Sequence, residues 1–498
     1  MSRGYKKMKM QWFYICTATL FACYVLTKLV RRFNGWYYHL KLRNKQYPLP
    51  PGDMGWPLIG NLFTLIQDFK NGQPDSFITN IMLKYGRNGI YKNHLLGTPS
   101  IIICEPEMSR RVLLDDVNFK PGYPKPVAKL LQSKFAVDGS KADHRHFRSQ
   151  FTPPIVDNKG LEMFLERIED IVVHSLEEVS SMKHPVELLK EVKKVSFTAI
   201  VHVFMGSCNH NVVKKIESLF EDLMNGLNSL PINVPGFTFH NALKAREKIV
   251  KILEPLVSER SKKIKNGQHE GERKDFMDIL LDMKDVNGRK MEDGDISDLL
   301  IGLLAAGHES TATGIMWTII YLTNHPHFLK IAKEEQEEIL KTRADSQKRL
   351  SFSEVKKMVY LSKVINEMLR CVNFPFSIFR EAKSDVHING YLIPKGWRVL
   401  VWIRALHMNS EYHSNHQQFN PSRWDDHTIK VGTFLPFGAG SRLCPGSNLA
   451  KLEISVYLHH FLLNYRLERM NPECCNTNWP IYLPTDNCLS KVIKVARV

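Results

Sequence analysis

The fold class the sequence predicts is a mainly α-helical body with a small β region, carried behind one N-terminal membrane-spanning helix. Three observations lead there. Apolar residues recur at helical spacing over 75–86, 159–182, 187–206, 212–229, 239–266, 294–323, 325–341, 352–371 and 447–464. Strand-like runs are short and few, around 89–92, 99–104, 386–393 and 397–402. Near the start, Gln11 to Thr27 is an uncharged run of 17 residues.

That run comes after a basic leader, residues 1–10. Extended to Val30 as a span over 11–30, it gives about 20 residues, or ~30 Å of helix at 1.5 Å per residue, just enough to cross a bilayer. Trp12, Tyr14, Trp36, Tyr37 and Tyr38 are placed to sit at the interfaces. A cleaved signal peptide and an ordinary core helix are the alternatives; no small-x-small cleavage site follows the run, and basic residues do. Six basic residues follow the span and four precede it, a bias towards a cytosolic C-terminal body. Residues 31–57 form a basic, proline-rich linker. Its Tyr47-Pro48-Leu49-Pro50-Pro51-Gly52 reads as a stiff extended spacer, because proline fixes φ and removes a donor. The body, 58–498, shows no internal repeat and reads as one large domain, with 264–275 a polar loop.

Charge and cysteines bound the function. The chain of 498 residues carries a net charge of +17. The first 52 residues hold ten Lys/Arg and no carboxylate, leaving the rest at 58 basic against 51 acidic groups. The excess is therefore local, which favours membrane over nucleic acid. Nine cysteines without a C-x-x-C pair imply neither a disulfide framework nor a zinc ribbon.

The most informative stretch is Phe437-Gly438-Ala439-Gly440-Ser441-Arg442-Leu443-Cys444-Pro445-Gly446. Its glycines let the backbone fold tightly. Pro445, favoured at the first helical position, puts the Cys444 sulfur at a helix N-terminus, where free N–H groups and nearby Arg442 favour the thiolate. Such a sulfur is a nucleophile or a metal ligand. A dinucleotide fingerprint fails because Leu443 stands where Gly or Ala is required. Zinc held by Cys444, His459 and His460 lacks a second thiolate.

These ten residues fit F-x-x-G-x-R-x-C-x-G at every fixed position, and the chain resembles the cytochrome P450 family. The resemblance implies the cytochrome P450 fold, with 58–498 as a haem-thiolate catalytic domain. It implies haem b (iron protoporphyrin IX), with Cys444 as the axial metal ligand, Phe437 packed by the sulfur and Arg442 paired with a propionate. Glu367 and Arg370 share a helix face at i,i+3; with Arg423 of Phe419-Asn420-Pro421-Ser422-Arg423-Trp424 they resemble the family's buried structural triad. Arg148, Arg380 and His407 match positions of propionate contacts, with His144 standing where the family often has Trp.

The helix around 299–307 is apolar on all sides, hence buried, until His308-Glu309-Ser310-Thr311 interrupts it. Ser and Thr can bend a helix by bonding back to the preceding turn. The segment also resembles the family's A-G-x-[DE]-T-[TS] stretch. By that resemblance Glu309 and either Ser310 or Thr311 relay protons in catalysis. Leu303, Ala306, Phe374, Phe376 and Ile378, with the 117–138 loop, are the expected substrate walls; an apolar pocket suits a large lipophilic substrate.

No P-loop, flavin or nicotinamide signature is present, so the reaction with O2 needs electrons from a separate partner, NADPH–cytochrome P450 reductase. Glu309-Ser310 and the unexpanded cysteine loop argue against a reductase-independent isomerase or lyase. The stretches PLPPGDMGWPLIGN, AGHESTAT, FNPSRWDD, FLPFGAGSRLCPG and PTDNCLSKVIKV resemble the plant ent-kaurenoic acid oxidase relatives and, among them, triterpenoid oxidases. This implies a terpenoid substrate, first a β-amyrin-type triterpene oxidised at C-11 in saponin biosynthesis, alternatively a diterpenoid acid of the gibberellin pathway. The implied location is the endoplasmic reticulum membrane, single-pass, in contact with membrane lipid and with no nucleic acid partner.

Overall fold

The N-terminal apolar run folds into a helix that does not stop where charge reappears. A computed structural model of the chain describes residues 2–71, 73–131, 141–206, 208–266, 275–344, 347–425, 429–477 and 481–495. Most of the 264–275 loop and residues 132–138 of the 117–138 loop lie outside the described residues. Helix α1 is continuous over Ser2–Lys41. Its stretch from Trp12 is long and apolar enough to cross a membrane and is not buried in the body. The boundary placed at residue 30 is thus not a break in secondary structure; the first part of the 31–57 segment is still helix.

The remaining long helices are α2 (Asn158–Ser181), α3 (Leu188–Met205), α4 (His210–Leu227), α5 (Thr238–Lys265), α6 (Asp293–Asn324), α7 (Pro326–Lys341), α8 (Val359–Val372) and α9 (Ser447–Asn464). They follow the apolar periodicity with one exception. The run 352–371 is broken at Met358. Ser351 starts a six-residue helix with a capping box, and α8 starts afresh because the Glu335 carboxylate of α7 accepts the N–H groups of Tyr360 (2.5 Å) and Leu361 (3.0 Å). Helix α6 is buried on nearly every side, and one apolar cluster joins it to α2, α3, α8 and α9.

The principal sheet has strands β1 (Ile90–Leu95), β2 (Thr98–Ile103), β3 (Phe119–Pro121), β4 (Ile378–Ala382) and β5 (Arg398–Val401), in spatial order β1-β2-β5-β4-β3. β2 and β5 run parallel, with Ser100 opposite Arg398 and Ile103 opposite Val401. Most of the helical body lies in the chain between them, as a parallel pair requires a crossover. Cores pack on both faces: Ile101, Val399 and Val401 belong to one, Ile102, Leu400 and Trp402 to the other. Strand β4 follows α8 after the left-handed Asn373, which brings Ile378 and Arg380 towards the cysteine loop.

Candidate active site

The cysteine loop folds back on itself. Gly438 N–H donates to Leu435 O (3.0 Å) and Cys444 N–H to Phe437 O (2.9 Å). Gly440, with φ +76°, lies where a Cβ would come within 2.7 Å of Leu113 O, so the loop seats on the 106–114 helix only with glycine there. Phe437 packs on the helical core, and Lys451 Nζ stands 5.8 Å from its ring centroid. The position predicted for Pro445 is corrected: α9 begins at Ser447 with Gly446 as its cap, so the sulfur precedes the first turn. Its electrostatics also differ from expectation. Burial pushes the Cys444 thiol up, while the Gly446 N–H and the charge of Arg148, not that of Arg442, pull it down. Without an electrophile to bind, the sulfur keeps its proton.

A cluster of cations lies beside the loop. Arg148 Nη2 donates to Leu443 O (2.8 Å), and Arg380 Nη1 to Phe379 O (3.2 Å). Burial first, then the like charge of Arg442, hold Arg148 and Arg380 below the ordinary arginine range; Asp116 acts in the opposite sense on Arg380 and Arg442. His144, buried among them, is pushed down to about 4 by burial and by Arg442, Arg148 and Arg380, so it stays neutral at physiological pH.

Helix α6 changes character for two turns. Ala306 and Ser310 are exposed and Leu303 is half-buried, in the middle of a helix whose other exposed residues, Gly294 and Asn324, lie at its ends. Ser310 Oγ reaches Ala306 O only at 3.3 Å, whereas Thr311, buried, donates to Gly307 O at 2.8 Å. Glu309 turns to α3, where its Oε1 lies 2.6 Å from Lys193 Nζ. His308 is buried with Nδ1 2.8 Å from Leu304 O, its ring edge-on to Phe197. Sequence reasoning missed Lys193, because a partner more than a hundred residues away leaves no local signal.

Glu367, Arg370 and Arg423 meet in one network. The Glu367 carboxylate accepts from Arg370 Nε (2.9 Å) and Nη2 (2.8 Å), Arg423 Nε (3.3 Å), Trp424 Nε1 (3.2 Å) and Asn420 N (3.0 Å). Arg370 also donates to the carbonyls of His407, His416 and Gln418.

Two expected residues are elsewhere. His407 is fully buried behind the triad, where Nε2 accepts from Leu435 N–H (2.9 Å) and the ring leans on Phe434; it joins backbone segments instead of the cation cluster. Phe376, half-buried, packs against Phe69 and Trp402 of the sheet core. Phe374 packs on the helical core, and Ile378 reaches to Gly438 of the cysteine loop.

Residues 50–489 match the cytochrome P450 family, and the chain belongs to it: a haem-thiolate monooxygenase is the class that this fold and motif set define. Its fold is that of the retinoic acid-bound cyanobacterial CYP120A1, with a TM-score of 0.80 at 24% identity over 90% of this chain and 100% of that one. More particularly, it is 66% identical to beta-amyrin 11-oxidase of Glycyrrhiza uralensis over 98% of this chain and 100% of that protein. It is 47% identical to 7,8-epoxymelianol synthase of Citrus sinensis (95% and 96% covered) and 44% identical to ent-kaurenoic acid oxidase 2 of Arabidopsis thaliana (97% and 98% covered).

The cofactor of this family and fold is haem, and the residues present suit it. A positively charged group, on which Asp116 acts in the opposite sense, matches a dianionic ligand. A partly buried sulfur stands beside it, and the middle of α6 is exposed at Ala306 and Ser310.

Proposed function

We propose that this chain oxidises a β-amyrin-type pentacyclic triterpene at a ring carbon, C-11, using O2 and electrons from NADPH–cytochrome P450 reductase. The observation that carries the reading is the 66% identity to beta-amyrin 11-oxidase across nearly the whole chain, against 44% to an ent-kaurenoic acid oxidase. In this reading residues 11–30 anchor the chain in the endoplasmic reticulum membrane, 31–57 join the anchor to the body, and 58–498 catalyse on the cytosolic side.

Cys444 would hold the haem iron through its sulfur, and Arg148, Arg380 and Arg442, with neutral His144, would hold the two carboxylate arms. Bound haem supplies O2 activation, which a thiolate ligand assists by pushing electron density towards O–O cleavage. The chain's part is positioning, water exclusion and proton delivery. Leu303 and Ala306 present apolar surface to the substrate. Ser310, whose hydroxyl is open, delivers the proton from Oγ, while Thr311 Oγ1 is engaged in a short bond to its own helix. Glu309, held by Lys193, is the carboxylate that relays protons from this ion pair to Ser310.

Expression with a plant reductase, followed by product analysis on β-amyrin and on ent-kaurenoic acid, tests the reading. An oxygenated β-amyrin is expected; conversion of the diterpenoid acid alone would overturn it, and turnover without NADPH or O2 would exclude the monooxygenase reaction. Replacement of Cys444 by Ser is expected to abolish the thiolate-specific Soret band of the reduced carbon monoxide complex. A surviving band would assign the iron to another residue.

A further inference from the structure

We propose that Asp116 is a third carboxylate of the seat for the haem arms: it ties the cysteine loop to the end of β4 and offsets the one positive charge that Arg148, Arg380 and Arg442 hold in excess over a dianion. The proposal rests on the reading of those arginines as the seat of the two haem carboxylates.

Asp116 lies in the turn between the 106–114 helix and β3, and that turn is fastened on two sides. On one side its Oδ2 accepts from Ser441 Oγ, on the residue next to Arg442. This adds to the seating of the cysteine loop at Gly440 over Leu113 O. On the other side its main-chain oxygen accepts from Lys383 Nζ at 2.7 Å, one residue beyond β4, and Lys383 N–H donates to Asn118 O at 2.8 Å. The chain then runs into β3, where Pro121 stands opposite Arg380 of β4. Asp116 thus joins the two elements that carry Arg442 and Arg380.

The acids on either hand are spent elsewhere. Asp115 builds the turn: its Oδ1 accepts the N–H groups of Val117 (3.1 Å) and Asn118 (2.9 Å), and its Oδ2 the Asn118 side-chain amide (2.8 Å). Glu381, next to Arg380, pairs with Lys120 at 3.1 Å. Asp116, half-buried, is the one turned to the cluster, where its charge acts on Arg380, Arg442 and His144 against the burial that disfavours their charge.

The charge count gives this carboxylate its meaning. With His144 neutral, three guanidiniums facing two haem carboxylates leave one positive charge over, and an uncompensated charge in such a niche is costly. Asp116 cancels it. A fixed negative charge beside the haem edge also has two electrostatic consequences. It disfavours addition of an electron to the iron, and it repels the two arms, which limits how tightly they are held. Asp116 is therefore a positioning residue that sets the iron potential.

The test uses the full haem-loaded chain in phospholipid nanodiscs and reads the ferric–ferrous potential and the rate of haem transfer to apomyoglobin. Asp116→Asn keeps an acceptor for Ser441 and removes the charge. It is expected to favour the ferrous state by about threefold to tenfold, a rise of about 28–59 mV for one electron, and to slow haem loss severalfold. An unchanged or lowered potential, haem loss no slower than wild type, or failure to load haem would each overturn the inference. Asp116→Glu keeps the charge and should stay near the wild-type potential; a shift as large as that of Asp116→Asn would overturn the electrostatic role. Arg380→Leu removes a cation and should move both readings the opposite way. If it moves neither, the arginines do not seat the haem arms, and the inference falls with that reading. If it moves both while Asp116→Asn moves neither, the inference alone falls.

Discussion

Two groups of arginines stand by the cysteine loop, and they are built on opposite principles. At the triad, Arg370 and Glu367 are both fully buried, and every charged edge meets a partner. Burial works against the Arg370 charge, but the bonds to Glu367 outweigh it and leave the guanidinium above its ordinary value. In the cluster of Arg148, Arg380 and Arg442, burial prevails and all three are held below that value. A charge satisfied within the chain serves folding. A group of like charges in a partly buried niche suits an anionic ligand, and a dicarboxylate is such a species.

The sharpest break in that contrast is Glu367→Ala. It strands Arg370 in the interior, with an expected loss of ~3–5 kcal/mol in urea unfolding and failure to retain haem. A loss below ~1 kcal/mol would show that the triad is not a lock.

Glu453 extends the contrast to a buried carboxyl facing no cation. It lies on α9, its Oε2 3.3 Å from Ser196 Oγ and its Oε1 without a partner, and burial pushes it up to about 8 from 4.5. Between those two values the folded chain keeps a proton that the unfolded chain has released, so stability falls as pH rises through this window. Glu453→Gln removes the titration. Melting temperatures should match wild type near the bottom of the window and exceed it near the top, by on the order of 3 kcal/mol in stability. A variant destabilised equally at both ends would refute the neutral carboxyl.

Arg380→Leu is the complement of Glu367→Ala. Exchanging a buried cation for an apolar side chain should leave the haem-free chain unchanged or up to ~1 kcal/mol more stable. Haem should then be lost faster from the loaded protein. If the haem-free variant unfolds as readily as Glu367→Ala, the cluster is structural after all.

The same contrast explains what the sequence made legible. Local pattern carried the long helices, the apolar span and the cysteine loop, because each is specified by neighbours in the chain. The triad was legible through the spacing of Glu367 and Arg370 together with the segment around Arg423. His407 was misplaced because its role depends on Leu435 N–H, contributed by the fold. Phe376 and Ile378, two residues apart, would share a face of a continuous strand; the strand begins only at Ile378, and the bend before it turns Phe376 into the core of Phe69 and Trp402 while Ile378 packs in the other, a break that the alternation does not announce. The break at Met358 was hidden because the apolar period runs through it, while the signal that restarts α8 comes from Glu335 on another helix. Likewise nothing in residues 31–41 announces that the helix continues and docks, since Asn34 acquires its meaning only from the carbonyls of Met54 and Trp56.

The smallest structural change gives the finest version of the comparison, satisfied against open, in two adjacent hydroxyls. Thr311 is buried and spends its proton on Gly307 O; Ser310 faces the opening with only a long contact to Ala306 O. Ser310→Ala should alter stability by a few tenths of a kcal/mol, as for an exposed side chain. Product formed per NADPH should fall roughly tenfold or more, since a positioned proton donor contributes at least that much, with the electrons diverted to hydrogen peroxide. Thr311→Val keeps the shape and removes the hydroxyl, so it should cost about 1 kcal/mol for the lost internal bond and leave coupling nearly intact. Adding Glu309→Gln to Ser310→Ala should then have little further effect, because the carboxylate relays its proton through that hydroxyl. If Thr311→Val uncouples the reaction instead, the buried hydroxyl must leave Gly307 during turnover, and the rule that an engaged group is a structural one fails at this site.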